Sequence, residues 1–303
     1  MVRIKIKRKI EKMLRKIIFP LHSEELPYSF NRQLQILLLL KYRELLCNDL
    51  SFENLVDGLE QIGFNVFSST YEDGILLSIF SVIGMTNRRC VDIGAGTVLG
   101  SNTANLVINH SFKALLIDAN PKNIEQSRTY YANHPETRIS PPTLITAMVM
   151  AENVNDILLE NKFIDEIDLL CIDIDGVDYW IWNALEVINP RVVLVEYQDI
   201  LGPNKSLTIP YKSNFCLHDY DVNKEYNNYC GASLQAFVKL GKLKGYRLVG
   251  CNKGGWNAFF VRSDLGGLYL PEVTAESCFK HEWNQFGIEK RFPLVRDMDW
   301  QEV

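Results

Sequence analysis

Acidic side chains cluster after two apolar runs in the middle of the chain. In the stretch LLCIDIDGVDYWIW, an apolar run leads to Asp173, Asp175 and Asp178, and Glu196 ends the next such run, VVLVE. Carboxylates are costly to bury away from water. Asp173 and Asp175 are two positions apart, so in an extended chain their side chains point to the same side. The pattern therefore predicts a chemical site where these runs end.

These carboxylates suit proton transfer or the binding of a hard cation. Asp175 is predicted to act as a catalytic group or to orient a substrate, with Glu196 beside it. Three oxygen ligands, from Asp173, Asp175 and Glu196, would suit Mg²⁺ or Mn²⁺. Asp173 has a second interpretation, as an anchor of its loop through backbone N–H groups. Asp178 precedes a helical pattern and is predicted to stabilise that helix N-terminus.

The elements that must position these acids alternate between strands and helices. From RRCVDIGAG to RVVLVEYQ, short β-rich runs alternate with helical patterns. The strands are continuous apolar runs, as is typical when helices cover both faces of a sheet. The pattern predicts an α/β fold with a doubly wound parallel sheet. Ligands bind beyond the carboxyl ends of the strands in such sheets, where the acids would converge.

The last part of the predicted sheet reverses direction. A helix in ASLQAFVKLGKLKGY is followed by YRLVGCN, the turn KGG and WNAFFVRSDL, which indicate a β-hairpin. A parallel sheet that ends in an antiparallel hairpin is the Rossmann-like layout of class I S-adenosylmethionine (SAM) methyltransferases. Two helices are predicted before the first strand, at 31–63 and at Asp73–Ile83.

Three regions are predicted along the chain: an N-terminal helical extension at 1–63, a catalytic domain at 64–270 and a tail at 271–303. Residues 199–230 interrupt the strand–helix alternation and are rich in Tyr, Asn and Pro. Long segments of this kind inside a compact domain are usually functional or disordered, and the aromatic content favours a substrate loop. His218 in this insert is a candidate base. The tail shows no readable pattern.

The motif VDIGAG after the first strand predicts a cofactor loop. Glycines allow a ligand to approach the backbone closely. The dinucleotide fingerprint needs a third glycine where Leu99 stands, and Gly100 is one place late. Asp118, which ends the second strand, can accept both ribose hydroxyls of SAM or of NAD. Asp92 suits the cationic methionine end of SAM, so SAM is favoured, with NAD as the alternative.

Several stretches, in this order, carry a resemblance to a known family. They are FNVFSSTYEDGILLSIFSVIG, VDIGAG with SNTANLV, ALLIDANP, AENVNDIL, IDLLCIDIDGVDYWIWNAL, VVLVEYQ and GASLQAFVKLGKLKGYRLVGCNKGGWNAFFVRSDL. From Phe64 to Leu265 the chain resembles the FkbM-like SAM-dependent methyltransferases. The resemblance implies O-methyl transfer to hydroxyls of sugars, surface polysaccharides or secondary metabolites. Its implied cofactor residues are Glu72, Asp92, Gly94, Ala95, Gly96, Asn102, Asp118, Ala119 and Asp173.

Two departures from the family pattern bear on activity. Ser69 and Tyr71 stand where relatives often have Gln and Gly, and Thr97 and Val98 stand where relatives often have an acid and a glycine. A differently shaped cofactor loop or an inactive member would each explain them. The alternatives to a methyltransferase are a nicotinamide-dependent oxidoreductase and a non-catalytic, membrane-associated binding module.

Charge and cysteine content exclude several classes of protein. The net charge is −5, but the first twenty residues carry +7 and the rest −12. An acidic body argues against nucleic-acid binding, which needs a basic face. The seven Cys are scattered without a C-x-x-C pair, so neither a disulfide framework nor a zinc site is predicted. A reducing, cytoplasmic location is the expectation.

The basic N-terminal segment, residues 1–20, has the pattern of an amphipathic helix. It would serve either as a peripheral anchor on the anionic inner membrane surface or as a helix packed on the body or on a second subunit. The oligomeric state is left open. No apolar run approaches the roughly 20 residues needed to span a bilayer.

Overall fold

The computed structural model describes residues 28–47, 62–220 and 228–303. The helix predicted at 1–20 therefore lies outside the described residues. The chain divides into two compact units, Met1–Leu38 and Leu39–Val303. The sheet, the insert and the C-terminal tail all belong to the second unit. Within the described ranges, no helix has both the length and the apolar content that crossing a membrane requires.

Among the described residues, two helices precede the first strand, α1 at Tyr28–Cys47 and α2 at Glu72–Ile83. Helix α1 covers the described part of the helix predicted at 31–63, and 48–61 lie outside the described residues. Helix α2 confirms the second predicted helix and begins one residue earlier. Its residues from Glu72 to Ser81 are buried, which fits its mostly apolar sequence.

The predicted alternation of strands and helices is confirmed from Arg89 onward. In chain order the elements are β1 Arg89–Ile93, α3 Ala104–His110, β2 Lys113–Asp118, α4 Pro121–Asn133, β3 Thr143–Thr146, α5 Val154–Glu160, β4 Asp165–Ile172, α6 Asp178–Ala184, β5 Ile188–Glu196, β6 Leu207–Thr208, α7 Leu234–Leu243, β7 Tyr246–Cys251, β8 Asn257–Arg262, α8 Glu282–Phe286 and β9 Gln301–Glu302.

Seven strands form the main sheet in the order β3-β2-β1-β4-β5-β8-β7. Neighbours from β3 to β5 are parallel, whereas β8 runs antiparallel to both β5 and β7. This is the strand order of the class I SAM methyltransferase fold, with the terminal hairpin that the sequence predicted. The reversal of strand order between β1 and β4 creates the crevice in which such sheets bind ligands.

Both faces of the central strands are buried. On β4, Leu170 and Ile172 belong to one hydrophobic cluster, while Leu169 and Cys171 belong to a second cluster on the opposite face. Alternate residues of a strand point to opposite faces. The continuous apolar runs in the sequence therefore follow from helices that cover both sides of the sheet.

The insert and the tail fold together outside the main sheet. The insert contains a 3₁₀ turn at Asp199–Leu201, strand β6 and a second 3₁₀ turn at Leu217–Tyr220. The tail, which has no readable pattern in the sequence, contains turns, helix α8, one π-helical turn at Gly287–Arg291 and strand β9. Strand β9 pairs antiparallel with β6. Elements this short depend on tertiary packing more than on local propensity, which explains why no pattern marks them.

Candidate functional site

The loop between β4 and α6 is held by the aspartate at its end. The Asp178 carboxylate accepts N–H bonds from Ile174 at 2.8 Å and Gly176 at 2.9 Å, and helix α6 begins at Asp178. The predicted position of Asp178 at a helix start is confirmed. Asp178, rather than Asp173, also anchors the loop. Asp175 has a φ of 53°, a left-handed conformation that is uncommon for residues other than glycine.

The three acids that were predicted to converge do lie together. One carboxylate oxygen each from Asp173, Asp175 and Glu196 lies within 4.8 Å of the others. Burial first, and then the charges of Asp178 and Asp175, raise the pKa of Asp173 to about 8. Burial and the charge of Asp173 raise the pKa of Glu196 well above its usual value. Carboxylates this close cannot all ionise cheaply, so they share protons or bind a cation.

His218 lies near this acid cluster, on the 3₁₀ turn of the insert. Burial raises the pKa of Asp175, and the positive charge of His218 lowers it. His218 itself is exposed. The structure therefore brings His218 within electrostatic reach of Asp175, and its role as a base stays a prediction.

A cavity of about 550 Å³ opens beyond the carboxyl ends of β4 and β5. The loop after β4 contributes Asp175 to its wall, the start of α6 contributes Asp178 and the end of β5 contributes Glu196. The other lining residues come from the insert, the hairpin turn and the tail, and they include Gln198, Asp199, Asn228, Cys230, Trp256, His281, Trp283 and Arg291. The sequence predicted a substrate loop in the insert, but the contribution of the tail was missed.

The far end of this cavity is built around a buried ion pair. Arg291 from the tail pairs with Asp199 of the insert, and each side chain is less than a tenth exposed. The Nη1 atom of Arg291 donates to Asn228 at 3.1 Å, and its guanidinium lies 4.3 Å from the ring centre of Trp283. In the sequence, only the residue types of Arg291 and Trp283 indicated that they could bind a ligand. No periodic pattern around them predicted where they lie in the fold.

The glycine motif separates two smaller cavities. The first cavity has a volume of about 210 Å³ and is lined by Asp92, the loop after β1 and Asp173. The second has a volume of about 80 Å³ and is lined by Asp118, Ala119 and apolar residues. Gly94 borders both cavities. Asp118 accepts the N–H of Gly96 at 2.8 Å. Eight residues of the predicted cofactor set line these cavities: Asp92, Gly94, Ala95, Gly96, Asn102, Asp118, Ala119 and Asp173.

Glu72 is the exception in the predicted cofactor set. It is 1% exposed and lines none of the three cavities. Its carboxylate accepts the N–H of Thr70 at 2.8 Å and the side-chain amides of Asn252 at 2.8 Å and Asn257 at 3.0 Å. Glu72 therefore ties the start of α2 to the terminal hairpin, and its placement at the cofactor stays a prediction. Asn257, the first residue of β8, takes part in the same contact.

The structure shows the conformation or the surroundings of the residues that depart from the FkbM-like pattern. Tyr71 has a φ of 76°, a conformation that glycine adopts readily, at the position where relatives often carry glycine. Thr97 lines the 210 Å³ cavity, whereas Val98 is buried in the hydrophobic core. The loop after β1 is thus fixed by apolar packing at Val98.

Asp92 gives rise to a prediction on stability. It is 2% exposed and accepts a 2.6 Å hydrogen bond from Thr103, and burial raises its pKa to about 6. An unfolded aspartate has a pKa of about 3.9. Between about pH 4 and pH 6 the folded chain therefore binds more protons at this site, and this contribution to stability falls as the pH rises.

We expect Asp92→Asn to remove this pH dependence and to raise the free energy of unfolding at pH 7 by roughly 1–3 kcal/mol. Urea denaturation at pH 4.5, 5.5 and 7 would measure the difference between variant and wild type across the window. Asp156→Asn, at an exposed site, is the control for loss of an aspartate charge. Parallel pH profiles for wild type and Asp92→Asn would contradict the expectation.

No family model matches the chain, and neither does any curated protein. Among solved structures, it is similar to YcgJ from Bacillus subtilis, with 13% identity over 58% of this chain and 68% of that one, at a TM-score of 0.35. It is also similar to the N-terminal domain of EvdMO1 with S-adenosylhomocysteine (SAH) bound, with 10% identity over 69% and 92% and a TM-score of 0.40.

A third similar structure is the CcbJ methyltransferase from Streptomyces caelestis, with 10% identity over 74% of this chain and 92% of that one, at a TM-score of 0.38. Likenesses this distant transfer no activity or substrate. The fold assignment depends on the strand order of the sheet itself.

Proposed function

We propose that this protein is a SAM-dependent O-methyltransferase that acts on a hydroxyl of a sugar-containing acceptor. The observation that carries the proposal is the position of the acid cluster between two cavities. Asp173 borders the cavity at the glycine motif, while Asp175 and Glu196 border the 550 Å³ cavity. Methyl transfer requires a donor and an acceptor oxygen held in line, and two cavities that meet at one cluster allow this.

The smaller cavities offer matched partners for the parts of SAM. Asp118 ends β2, where a carboxylate can accept ribose hydroxyls. It already accepts the N–H groups of Gly96 and Asn120 and, at 3.3 Å, the side-chain amide of Asn123, so a ribose hydroxyl would compete with the longer amide contact. The 80 Å³ cavity is lined by Ile117, Val149 and Phe215, which suits an adenine ring. Asp92 borders the other cavity, where a carboxylate would attract the methionine ammonium group.

The reaction needs a group that takes the acceptor proton. SAM, when bound, would supply the methyl group to the acceptor oxygen and leave as SAH, so the proton of the acceptor hydroxyl has to be taken up by the protein or by water. We assign the released proton to Asp175, because its raised pKa brings it closer to neutral pH, where a carboxylate is an effective base.

The acid cluster also fits a divalent cation. Asp173, Asp175 and Glu196 supply only oxygen atoms, and these lie close enough to share one ion. These residues would hold Mg²⁺ or Mn²⁺, which lowers the pKa of a bound hydroxyl. Activity that is lost in EDTA and restored by Mg²⁺ or Mn²⁺ would establish the requirement, whereas full activity in the chelator would remove it.

Calorimetric titration with SAM and with NAD tests the cofactor directly. We expect SAM to bind with a Kd in the range of about 1–100 μM, typical of small-molecule sites, and NAD to give no measurable heat. Binding of NAD instead of SAM would indicate an oxidoreductase. SAM binding without transfer of a labelled methyl group to any hydroxyl acceptor would indicate a non-catalytic protein.

A further inference from the structure

The insert borders two cavities at once. Ser213 and Phe215 line the 80 Å³ cavity, together with residues of β2 and of the loop after β3. Asp199, at the start of the same insert, lines the 550 Å³ cavity. Among the described residues that border the 80 Å³ cavity, Phe215 is the single aromatic side chain. A segment predicted to serve the acceptor therefore also supplies a wall of the cavity assigned to adenine.

The ring of Phe215 packs on Gly176, in the loop between β4 and α6. A Cβ atom added at Gly176 would lie 2.9 Å from Cδ1 and 3.4 Å from Cε1 of Phe215, so one edge of the ring lies against the glycine. Gly176 is itself held in place, because its N–H donates to Asp178 at 2.9 Å and its carbonyl oxygen accepts the N–H of Gly231 at 2.8 Å. Any side chain at position 176 would therefore have to displace the ring.

A second aromatic ring covers one face of Phe215. The rings of Phe215 and Tyr220 are stacked, with centres 5.3 Å apart and planes inclined by 12°. The Tyr220 hydroxyl accepts a hydrogen bond from Lys212 at 2.9 Å, and the Tyr220 ring lies 5.0 Å from the ring of Tyr229. Tyr229 in turn donates to the carbonyl oxygen of Asp299 at 2.6 Å. Contacts along one edge and one face therefore fix the orientation of the Phe215 ring at the cavity.

The chain just before Phe215 is anchored as well. The Tyr211 hydroxyl accepts the N–H of Ala151 at 3.1 Å and donates to the carboxylate of Glu152. The ring of Tyr211 lies 6.1 Å from that of Trp180, whose indole N–H donates to a carbonyl oxygen of the insert at 2.9 Å. Phe215 therefore lies between two anchored positions, and its place at the cavity does not depend on one contact.

The remaining wall of the 80 Å³ cavity suits a purine base. It is mostly apolar, with side chains from Ile117, Ala147, Val149, Ile174 and Val177. A nucleobase stacks on an aromatic side chain through its π face, so this contact needs no hydrogen bond between the ring and the base. Phe215 supplies an aromatic surface of this kind at the cavity, within a wall that otherwise offers aliphatic packing.

We propose that the insert forms part of the donor site, where Phe215, packed on Gly176, provides the aromatic wall that sets the affinity for the adenine end of SAM. This inference depends on the proposed methyltransferase function. It goes beyond that function because an insert outside the main sheet would determine the affinity for the donor. Substitutions at Gly176 would act on that affinity through the ring of Phe215.

Calorimetric titration of the full-length protein with SAH and with 5′-methylthioadenosine, which keeps the adenosine but lacks the amino acid, tests the assignment. We expect Phe215→Ala to raise both Kd values at least about fivefold, and Phe215→Tyr, which keeps the ring, to change them by less than about twofold. Phe215→Leu removes the ring but keeps an apolar side chain of similar bulk. It should raise both Kd values at least about threefold, and it provides the test if Phe215→Ala does not fold.

Gly176→Ala tests the contact between the ring and the loop. The added methyl group is expected to displace the ring and to raise the Kd for SAH at least about threefold. Combined with Phe215→Ala, it should add less than about twofold, because no ring is left to displace. Losses that multiply in the double variant would overturn the proposed action through Phe215.

Phe292→Ala is the matched control, since Phe292 is a half-buried phenylalanine that borders none of the three cavities. It should leave the Kd for SAH unchanged, and thermal melting would check that each variant is folded. A folded Phe215→Ala or Phe215→Leu variant that binds SAH as tightly as the wild type would overturn the inference. Absence of SAM and SAH binding to the wild type would instead overturn the proposed function, so the two failures are distinguishable.

Discussion

Asp175→Asn is expected to lower the rate of methyl transfer by about 100-fold or more while changing the Kd for SAM by less than about threefold. The amide keeps the size of the side chain but cannot take the acceptor proton. Asparagine also tolerates the left-handed backbone at φ 53°, so the loop is expected to keep its shape. Initial rates with labelled SAM and calorimetry would provide the two values.

Substitution of other aspartates in this region shows whether the loss of rate is specific to Asp175. Asp219→Asn, at an exposed position of the insert beside His218, serves as the matched control and should retain activity. Asp173→Asn should weaken SAM binding as well, because Asp173 borders the cofactor cavity. Equal losses of rate and SAM affinity in Asp175→Asn would show that the residue serves the cofactor or the fold instead of the reaction.

Gly94→Ala is expected to lower the free energy of unfolding by about 4 kcal/mol or more and to abolish SAM binding. A Cβ atom at position 94 would lie 1.7 Å from the carbonyl oxygen of Asp173, and the φ of 88° disfavours any side chain. The contact is with backbone, so no side-chain rotation can relieve it. Relief would require the glycine motif and the acid loop to move apart.

Gly245→Ala separates the cost of the steric clash from the cost of the left-handed backbone conformation. Gly245 has a similar φ of 84°, but a Cβ there would meet nothing within 4 Å. Its cost is limited to the backbone conformation, about 1–2 kcal/mol. Urea denaturation of both variants would isolate the steric contribution as their difference. Similar losses for Gly94→Ala and Gly245→Ala would contradict a close approach between Gly94 and Asp173.

The parts of the fold that the sequence predicted are those that local patterns determine. Continuous apolar runs mark strands buried on both faces, as Leu169 and Leu170 on β4 show. Because parallel strands end at one edge, the carboxylates that follow β4 and β5 had to meet there. The acid cluster was therefore predictable without any knowledge of distances.

The other parts depend on contacts between distant segments. Glu72 matches a family motif, but its partners Asn252 and Asn257 are about 180 positions away in the sequence. Likewise, Trp283 and Arg291 stand in a tail without periodicity, and Arg291 meets its partner Asp199 about 90 positions away in the sequence. No local pattern encodes such pairings, so neither the partners of Glu72 nor the wall that the tail contributes to the cavity was predicted.

The pairing of β9 with β6 also sets an order of assembly during synthesis. Residues 92–119 and Asp173, which form the cofactor side, leave the ribosome more than a hundred residues before Gln301 and Glu302. Chains fold progressively from the N-terminal side as they are made. A nascent chain can therefore form the cavity beside the glycine motif before β9 has been made, whereas the wall that the tail contributes to the 550 Å³ cavity is added later.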